Sequence, residues 1–358
     1  MRRALELAER GRGRTAPNPV VGAVVVQGGE TVGEGWHRAL GERHAEVEAL
    51  ARAGAAARGA TLYVTLEPCA HWGRTPPCVD AILAAGIARC VVAQRDPDPR
   101  VNGRGLKKLR AAGVQVELGL LADPAGEQLA AYRHAQSTGR ARVTWKVASS
   151  LDGRIADARG RSQWITSAEA RADGHRLRAA SDAIVVGAGT ARADDPRLTA
   201  RTDHAGAQPL RVIVDSRLAL PRSLRVFSPP LARGTVVACT VAAPAGRERA
   251  LVARGVSVWR LPSARLRVSL PALSERLAHE GRHEVLLEGG GTLGAAFVRA
   301  GLVQRIVLYA APLVLGGGLN WCDGLSLPLA TTKRGRIVSV SLVGGDARLI
   351  VDLAESGG

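Results

Sequence analysis

Long apolar runs are missing from this chain: none of its 358 residues lies in a stretch approaching the roughly 20 consecutive apolar positions that a membrane-crossing helix needs. The opening MRRALELAERGRGRT has no sustained apolar centre and no small-residue cleavage site, so it reads as an amphipathic first helix, and a cytoplasmic protein is expected. Aromatic residues are scarce, at 3%, which leaves few platforms for stacking bases and weighs against single-strand binding. Acidic residues are in deficit, 32 against 49 basic ones, for a net charge of +17. The arginines are scattered instead of forming a basic block, and alanine is plentiful, so compositional bias and solubility account for the charge better than a nucleic-acid groove does. A phosphorylated small substrate suits the same charge. Cysteines are few and odd in number, at 69, 78, 90, 239 and 322, which argues against a disulfide framework. Cys90 in ARCVVAQ and Cys239 in TVVACTV read as buried strand thiols. Cys322, in NWCDG, has no role legible in the sequence.

What is present is alternation. The length predicts two domains. Up to about residue 120, helix Ala4 to Arg10 is followed by strands VVGAVVV and TVGEGWH, helix HAEVEALARAG, strand TLYVTLEP, helix CVDAILAAG, strand ARCVVAQ, helix GRGLKKLRAAG and strand VQVEL. Residues 122 to 142 turn helical and polar, which puts the boundary near 142, with domains at 1–142 and 143–358. A second alternation runs from VTWKVASSLDG through SAEARADGHRLRAAS, DAIVVGAG, LRVIVDS, GTVVACT, LPALSERLAHEG, EVLLEGG and LGAAFVRAG to RIVLYAAP; residues 241 to 265 show no clear period. Both halves are expected to be α/β, with mixed or parallel sheets covered on both faces.

Two cysteines bracket a loop rich in proline and glycine, EPCAHWGRTPPC, shortly after RHAEVEAL. A hydrolytic zinc centre needs three protein ligands and an open position for water, and His44, Cys69 and Cys78 supply that count. Cys78 opens a predicted helix, whose dipole favours the thiolate that metals require. Glu46, two residues past the histidine, is placed to carry protons. H-x-E followed by P-C-x-n-C is the zinc deaminase signature, here with eight residues between the cysteines instead of two. A purely structural zinc would ordinarily take four protein ligands. His71, offered as a fourth, lies so near Cys69 in sequence that a loop or substrate-contact role suits it better.

Taken with TAPNPVVGAVVV, VGEGWH, DPDPRVNGRG, KVASSLDGR, SQWITS and ADDPRLT, these motifs closely resemble the bifunctional riboflavin-biosynthesis deaminase/reductase family, from about residue 2 to 320. The resemblance implies a cytidine-deaminase-like three-layer domain followed by a dihydrofolate-reductase-like domain. It implies zinc-dependent removal of the 2-amino group of 2,5-diamino-6-(5-phosphoribosylamino)pyrimidin-4-one, then NADPH-dependent reduction of the ribosyl group to ribityl. Asn18, in PNP, matches the family's deaminase substrate pocket, although an asparagine between prolines is often only a turn.

No Rossmann fingerprint accompanies the second half: VVGAGTARADD offers Gly187 and Gly189 but arginine in the last glycine's place. LLEGGGTLGAAFV is the better signal, because glycines between a strand and a helix leave backbone N–H groups free to converge on an anion. By the resemblance, Gly290, Gly291, Thr292, Leu293 and Gly294 hold NADPH, together with Ala148, Trp164, Thr190, Asp194 and Ser216. Ser162, Arg178, Leu198, Arg201 and Glu288 match substrate contacts. Arg171, His175 and Arg178 recur on one helix face, behind a predicted capping box of Thr166 and Glu169. Arg178 and Arg201 are of the type that grips phosphate bidentately, and Lys146 with Asp152 forms a candidate pair for polarising the sugar, or simply a strand-end salt bridge.

The chain departs from the family pattern at Ala23, Ala130, Gln304 and Leu313, none of them in the metal set. Phosphoribosylated pyrimidines are the expected partners, without nucleic acid or membrane, and the oligomeric state, a homo-oligomer included, stays open. Two other readings compete. One is a tRNA or single-stranded DNA deaminase with a basic accessory domain; the other is a deaminase whose carboxy-terminal domain is not catalytic.

Overall fold

A computed structural model describes residues 1–73, 76–202, 208–330, 332 and 334–353; Arg74 and Thr75 of the inter-cysteine loop lie outside the described residues. The chain divides into two compact units, Met1–Gly139 and Arg140–Gly358.

The first unit is built on β1 (Gly22–Gln27), β2 (Glu30–Trp36), β3 (Thr61–Leu66), β4 (Arg89–Gln94) and β5 (Gln115–Leu118), in the order β2-β1-β3-β4-β5. Antiparallel pairing on either side of β1 gives way to parallel pairing from β3 to β5. Alternation along each strand sends side chains to two faces. Ala23, Val25, Leu62, Val64, Cys90 and Val92 meet the helices Ala45–Ala53, Cys78–Ala84 and Arg104–Ala111. Val24 and Leu66 instead meet helix Arg2–Glu9 and the segment around Leu129 and Tyr132. The result is three layers. Gly33 and Gly35 let helix Ala45–Ala53 lie directly on β2, since a Cβ on either would strike the helix backbone at Ala49 or Ala45. That contact seats His44 at the helix start. Cys90 is fully buried, and burial pushes its thiol up to about 12, as befits a core thiol.

The second unit contains β6 (Arg142–Ser150), β7 (Arg154–Ala156), β8 (Ala183–Gly187), β9 (Leu210–Val214), β10 (Thr235–Thr240), β11 (Ser257–Leu261), β12 (Ser263–Ala264), β13 (Arg267–Val268), β14 (Glu284–Leu287), β15 (Arg305–Ala311), β16 (Leu319–Asn320), β17 (Arg336–Val343) and β18 (Asp346–Asp352). Nine of these form one sheet in the order β11-β10-β9-β8-β14-β6-β15-β18-β17. The run from β11 to β15 is parallel, and the closing hairpin β17–β18 is antiparallel. Central strands are buried on both faces: Val185, Val236 and Val285 enter one core, Ile184, Val237 and Leu286 the other. This explains why they read as continuous apolar runs. Cys239 belongs to the second of these cores.

The structure differs from the sequence expectation in four places. A helix, Ala188–Asp194, follows β8 at once, where the strand had been expected to continue. Residues 241 to 265 resolve into helix Ala245–Val252, β11 and half of the small ladder β12–β13. The cap of helix Ala168–Ala179 is Ser167, whose hydroxyl accepts from the Ala170 amide, and not Thr166. Asp152 does not pair with Lys146: it accepts from Ser150 Oγ and from the Leu315 and Gly316 amides, and it faces Arg154 at 3.7 Å.

Candidate active sites

In the first unit three ligand atoms converge. His44 precedes helix Ala45–Ala53, Cys69 follows the end of β3, and Cys78 is the first residue of helix Cys78–Ala84; their ligand atoms lie within 4.8 Å of one another. His44 Nδ1 is 3.1 Å from Cys78 Sγ and 3.7 Å from Cys69 Sγ. The loop is closed on itself, because the Cys78 amide donates to Cys69 Sγ and the Val79 amide to the Cys69 carbonyl. Cys69 is held down to about 4, chiefly by its hydrogen bond from Cys78, while that same bond and burial push Cys78 up. One imidazole and two cysteine sulfurs are the donor set zinc takes, and three ligands leave a coordination position open.

Glu46 stands on the first turn of the same helix, 4% exposed, and burial pushes its carboxyl up to about 6 against the pull of His44. A carboxyl poised there exchanges protons near neutral pH. Asn18 is brought to the site by a residue that the sequence reading does not single out, His37. This histidine is 2% exposed, its ring meets the His44 ring edge-on at 5.3 Å, and its Nε2 lies 3.1 Å from Asn18 Nδ2. Its Nδ1 is 3.1 Å from the Arg43 carbonyl, which only accepts, so Nδ1 carries the proton and Nε2 accepts from Asn18. The Asn18 amide is thereby turned with Oδ1 as its remaining acceptor. The only sequence signal was a histidine directly after β2, in GWH. Among the described residues, His71 Nδ1 is buried with no hydrogen-bond partner.

In the second unit most of the expected contacts gather beyond the carboxyl ends of the parallel strands, where ligands sit in open α/β sheets. Gly290 precedes helix Gly291–Arg299, and its amide donates to Thr190 Oγ1 at 2.8 Å, tying the loop after β14 to the helix after β8. Gly294 packs on the Trp145 indole with no room for a Cβ, and Leu293 lies against Gly187. Thr292 is exposed. Ser162 Oγ donates to Asp194 at 3.5 Å, and burial raises the Asp194 carboxyl. Ser216, just past β9, accepts from the Val268 amide at 3.1 Å. Ala148 is half-buried on β6, and Trp164 is exposed under the Arg171 guanidinium, 4.5 Å away.

The arginine stripe separates into different tasks. Arg178 closes both arms of its fork on Glu288, at 2.7 Å each, and donates its third bond to the Thr199 carbonyl. Arg201 is exposed and donates to His175 Nε2 at 2.8 and 3.2 Å. Leu198, between them in sequence, is buried with φ +51°. Lys146 projects toward the Tyr309 ring, 5.6 Å from its centroid, and burial lowers its ammonium while Glu288 opposes that shift.

The sequence departures are accommodated. Gln304 Oε1 accepts from the Val143 amide at 2.8 Å, an acceptor role that a carboxylate would share, and the Leu313 carbonyl accepts from the Leu151 amide. Ala23 is buried in β1, and Ala130 starts helix Ala130–Thr138.

Two family models match the chain: the cytidine and deoxycytidylate deaminase zinc-binding region over residues 1–94, and the RibD C-terminal domain over residues 141–347. The riboflavin biosynthesis protein RibD of Escherichia coli is 40% identical over 364 residues, covering 98% of this chain and 97% of that protein. Its counterpart in Bacillus amyloliquefaciens is 43% identical over 319 residues, 89% of this chain and 85% of that one. Among solved structures, Acinetobacter baumannii RibD superposes with a TM-score of 0.89 at 39% identity, over 99% of this chain and 97% of that one. The diaminohydroxyphosphoribosylaminopyrimidine deaminase/5-amino-6-(5-phosphoribosylamino)uracil reductase of Thermotoga maritima gives 0.87 at 33% identity, with the same coverage of 99% and 97%.

Proposed function

Since this chain belongs to the RibD family of bifunctional riboflavin-biosynthesis deaminase/reductases, we propose that residues 1–142 carry its zinc-dependent deamination and residues 143–358 its NADPH-dependent reduction. The enzyme deaminates 2,5-diamino-6-(5-phosphoribosylamino)pyrimidin-4-one and then reduces the ribosyl group of 5-amino-6-(5-phosphoribosylamino)uracil. The observation that carries the assignment of the first site is the meeting of His44, Cys69 and Cys78 beside a buried Glu46.

His44, Cys69 and Cys78 hold the metal, which when bound supplies a Lewis acid that makes water nucleophilic at neutral pH. Glu46 accepts a proton as the pyrimidine carbon is attacked and delivers one to the departing amino group. Asn18, with its amide turned by His37, presents Oδ1 to an N–H of the pyrimidine. NADPH, when bound in the second domain, would supply a hydride to C1' of the ribosyl group, whose C1'–O4' bond has opened to the imine with a proton taken up on O4'. Gly291, Thr292 and Leu293, on the first turn of helix Gly291–Arg299, offer backbone N–H groups to the cofactor's phosphates, while Gly290 and Gly294, whose amides are taken by Thr190 Oγ1 and the Gly290 carbonyl, shape the loop that approaches it. Thr190 braces that loop, and Ala148, Trp164, Asp194 and Ser216 complete the cofactor contacts. Ser162, Arg178, Leu198, Arg201 and Glu288 face the substrate. Of the two arginines, Arg201 is the exposed one suited to a phosphate, while Arg178 and Glu288 act as a locked pair.

Glu46→Gln tests the division of labour. It is expected to retain zinc, to lose deamination by about 10²–10⁴-fold, and to reduce the deaminated substrate at the parental rate. Equal loss of both activities would contradict separate sites.

Partners are phosphoribosylated pyrimidines and not nucleic acid, a reading supported by the scarcity of aromatics and the scattered arginines. No helix among the described residues is long and apolar enough to cross a membrane, and the cytoplasm is the proposed site of action. A homo-oligomer is favoured by β17, an edge strand that leaves Ile337, Val340 and Leu342 exposed.

A further inference from the structure

Glu67 takes no part in the chemistry above, yet it is 3% exposed and directly precedes Pro68 and Cys69. Its carboxylate is an acceptor for four backbone amides. Oε2 receives Gly103 N at 2.9 Å and Asp96 N at 3.3 Å; Oε1 receives Gly105 N at 3.0 Å and Leu106 N at 3.3 Å. Among the described residues no cation pairs with it. Its charge is met by the amino terminus of helix Arg104–Ala111, whose first amides have no partner within the helix. Its own amide donates to the Gln94 carbonyl at the end of β4. Gly105 presses so closely on the Pro68 carbonyl that a Cβ there would displace it. The backbone carrying Cys69 is therefore anchored in two ways: the Glu67 carboxylate reaches out to amides 29 to 39 positions along the chain, and Gly105 presses back on the Pro68 carbonyl.

We propose that Glu67 is a positioning residue for the zinc centre: it fixes the Pro68–Cys69 turn against helix Arg104–Ala111, and so sets where the Cys69 sulfur stands relative to His44 and Cys78. The inference rests on reading Cys69 as a zinc ligand. The chemistry of the clamp explains the residue type. All four partners are donors, so the side chain must accept on both oxygens. Glutamine keeps the shape, but it turns one end into a donor facing two donors. Aspartate is one methylene short. Partners that orient metal ligands typically cost 10- to 100-fold in metal affinity or activity when removed.

The test uses the full chain, zinc-loaded, as parent, Glu67→Gln, Gly105→Ala and Cys69→Ser. Zinc affinity is read by competition with a chromophoric chelator, and ligand geometry by the visible absorption of the cobalt-substituted protein. Deamination is measured at saturating zinc, and reduction in the same chain reports that the protein is folded. Glu67→Gln is expected to bind zinc about 10- to 100-fold more weakly, to shift the cobalt bands, and to lower kcat more than it raises KM, with reduction unchanged. Gly105→Ala, which leaves Glu67 in place and pushes on Pro68, is expected to move the same readouts in the same direction. If Glu67→Gln does not fold, Gly105→Ala decides on those readouts alone. Parental zinc affinity and parental cobalt bands in whichever variant folds would overturn the proposal. A Cys69→Ser protein that holds zinc as tightly as the parent would instead remove the ligand assignment on which it rests.

Discussion

At the scale of single residues, the zinc set is the part most legible in the sequence. Metal coordination restricts residue type and places two of the ligands at helix starts, so His44, Cys69 and Cys78 stand out from the chain's remaining cysteines. Residues that work through long-range backbone contacts are not legible in this way. His37 meets Asn18 across 19 positions, and Glu67 meets Leu106 across 39. Arg178 matches a substrate contact by the resemblance and is of the type that grips phosphate; its closed pairing with Glu288, 110 positions away and just past β14, is set by the fold. Asp96 offers a direct test of the electrostatics. It accepts from the Tyr132 hydroxyl and the Asp98 amide, each at 2.9 Å, is 7% exposed, and burial pushes it up to about 6. A folded-state value above the unfolded one means the folded protein binds this proton more tightly, so ionisation opposes folding. The penalty is absent below about pH 4, grows through the window up to about pH 6, and then stays, at about 3 kcal/mol. Asp96→Asn, which keeps Oδ1 as an acceptor, is therefore expected to gain stability relative to the parent between pH 4 and 7 by that amount. Thermal or urea unfolding across this range checks it, and a pH-independent difference would contradict it.

At the scale of elements, the alternation of strands and helices was readable because each central strand is a short apolar run buried on both faces. Helix Ala188–Asp194 escaped because AGTARAD lacks an apolar stripe and follows β8 with no intervening turn. Thr166 and Ser167 are adjacent hydroxyls, and only backbone geometry chooses between them as the cap. The hairpin β17–β18 lies beyond the motifs that carry the family resemblance, although Gly344 and Gly345 between β-branched runs are a plain hairpin signal. This hairpin matters because β17 ends the nine-stranded sheet with unpaired backbone and with apolar side chains exposed, Val340 at 64%. Such an edge is a template for pairing with a second copy. Val340→Lys is expected to shift sedimentation toward monomer at micromolar concentration while changing the stability of the monomer by no more than about 0.5 kcal/mol. A parent that sediments as a monomer throughout, or a variant that assembles unchanged, would contradict the role given to this edge.

At the scale of the whole molecule, the chain forms two compact units, and the proposed function gives each its own chemistry and cofactor. In the proposed reading, one uses a metal held by His44, Cys69 and Cys78 with Glu46 as proton carrier, the other the glycine-lined amino terminus of helix Gly291–Arg299. The division after Gly139 comes just before β6, which opens at Arg142. In the proposed function the two activities act in sequence on one pyrimidine and are separable by cofactor. The most direct measurement gives the purified, zinc-loaded protein 2,5-diamino-6-(5-phosphoribosylamino)pyrimidin-4-one with NADPH, and follows released ammonia and NADPH absorbance together, with and without prior chelation of zinc. Ammonia release followed by stoichiometric NADPH oxidation is predicted. Chelation is predicted to abolish the ammonia while leaving reduction of 5-amino-6-(5-phosphoribosylamino)uracil intact. Ammonia without NADPH oxidation, or reduction that disappears along with the zinc, would contradict it.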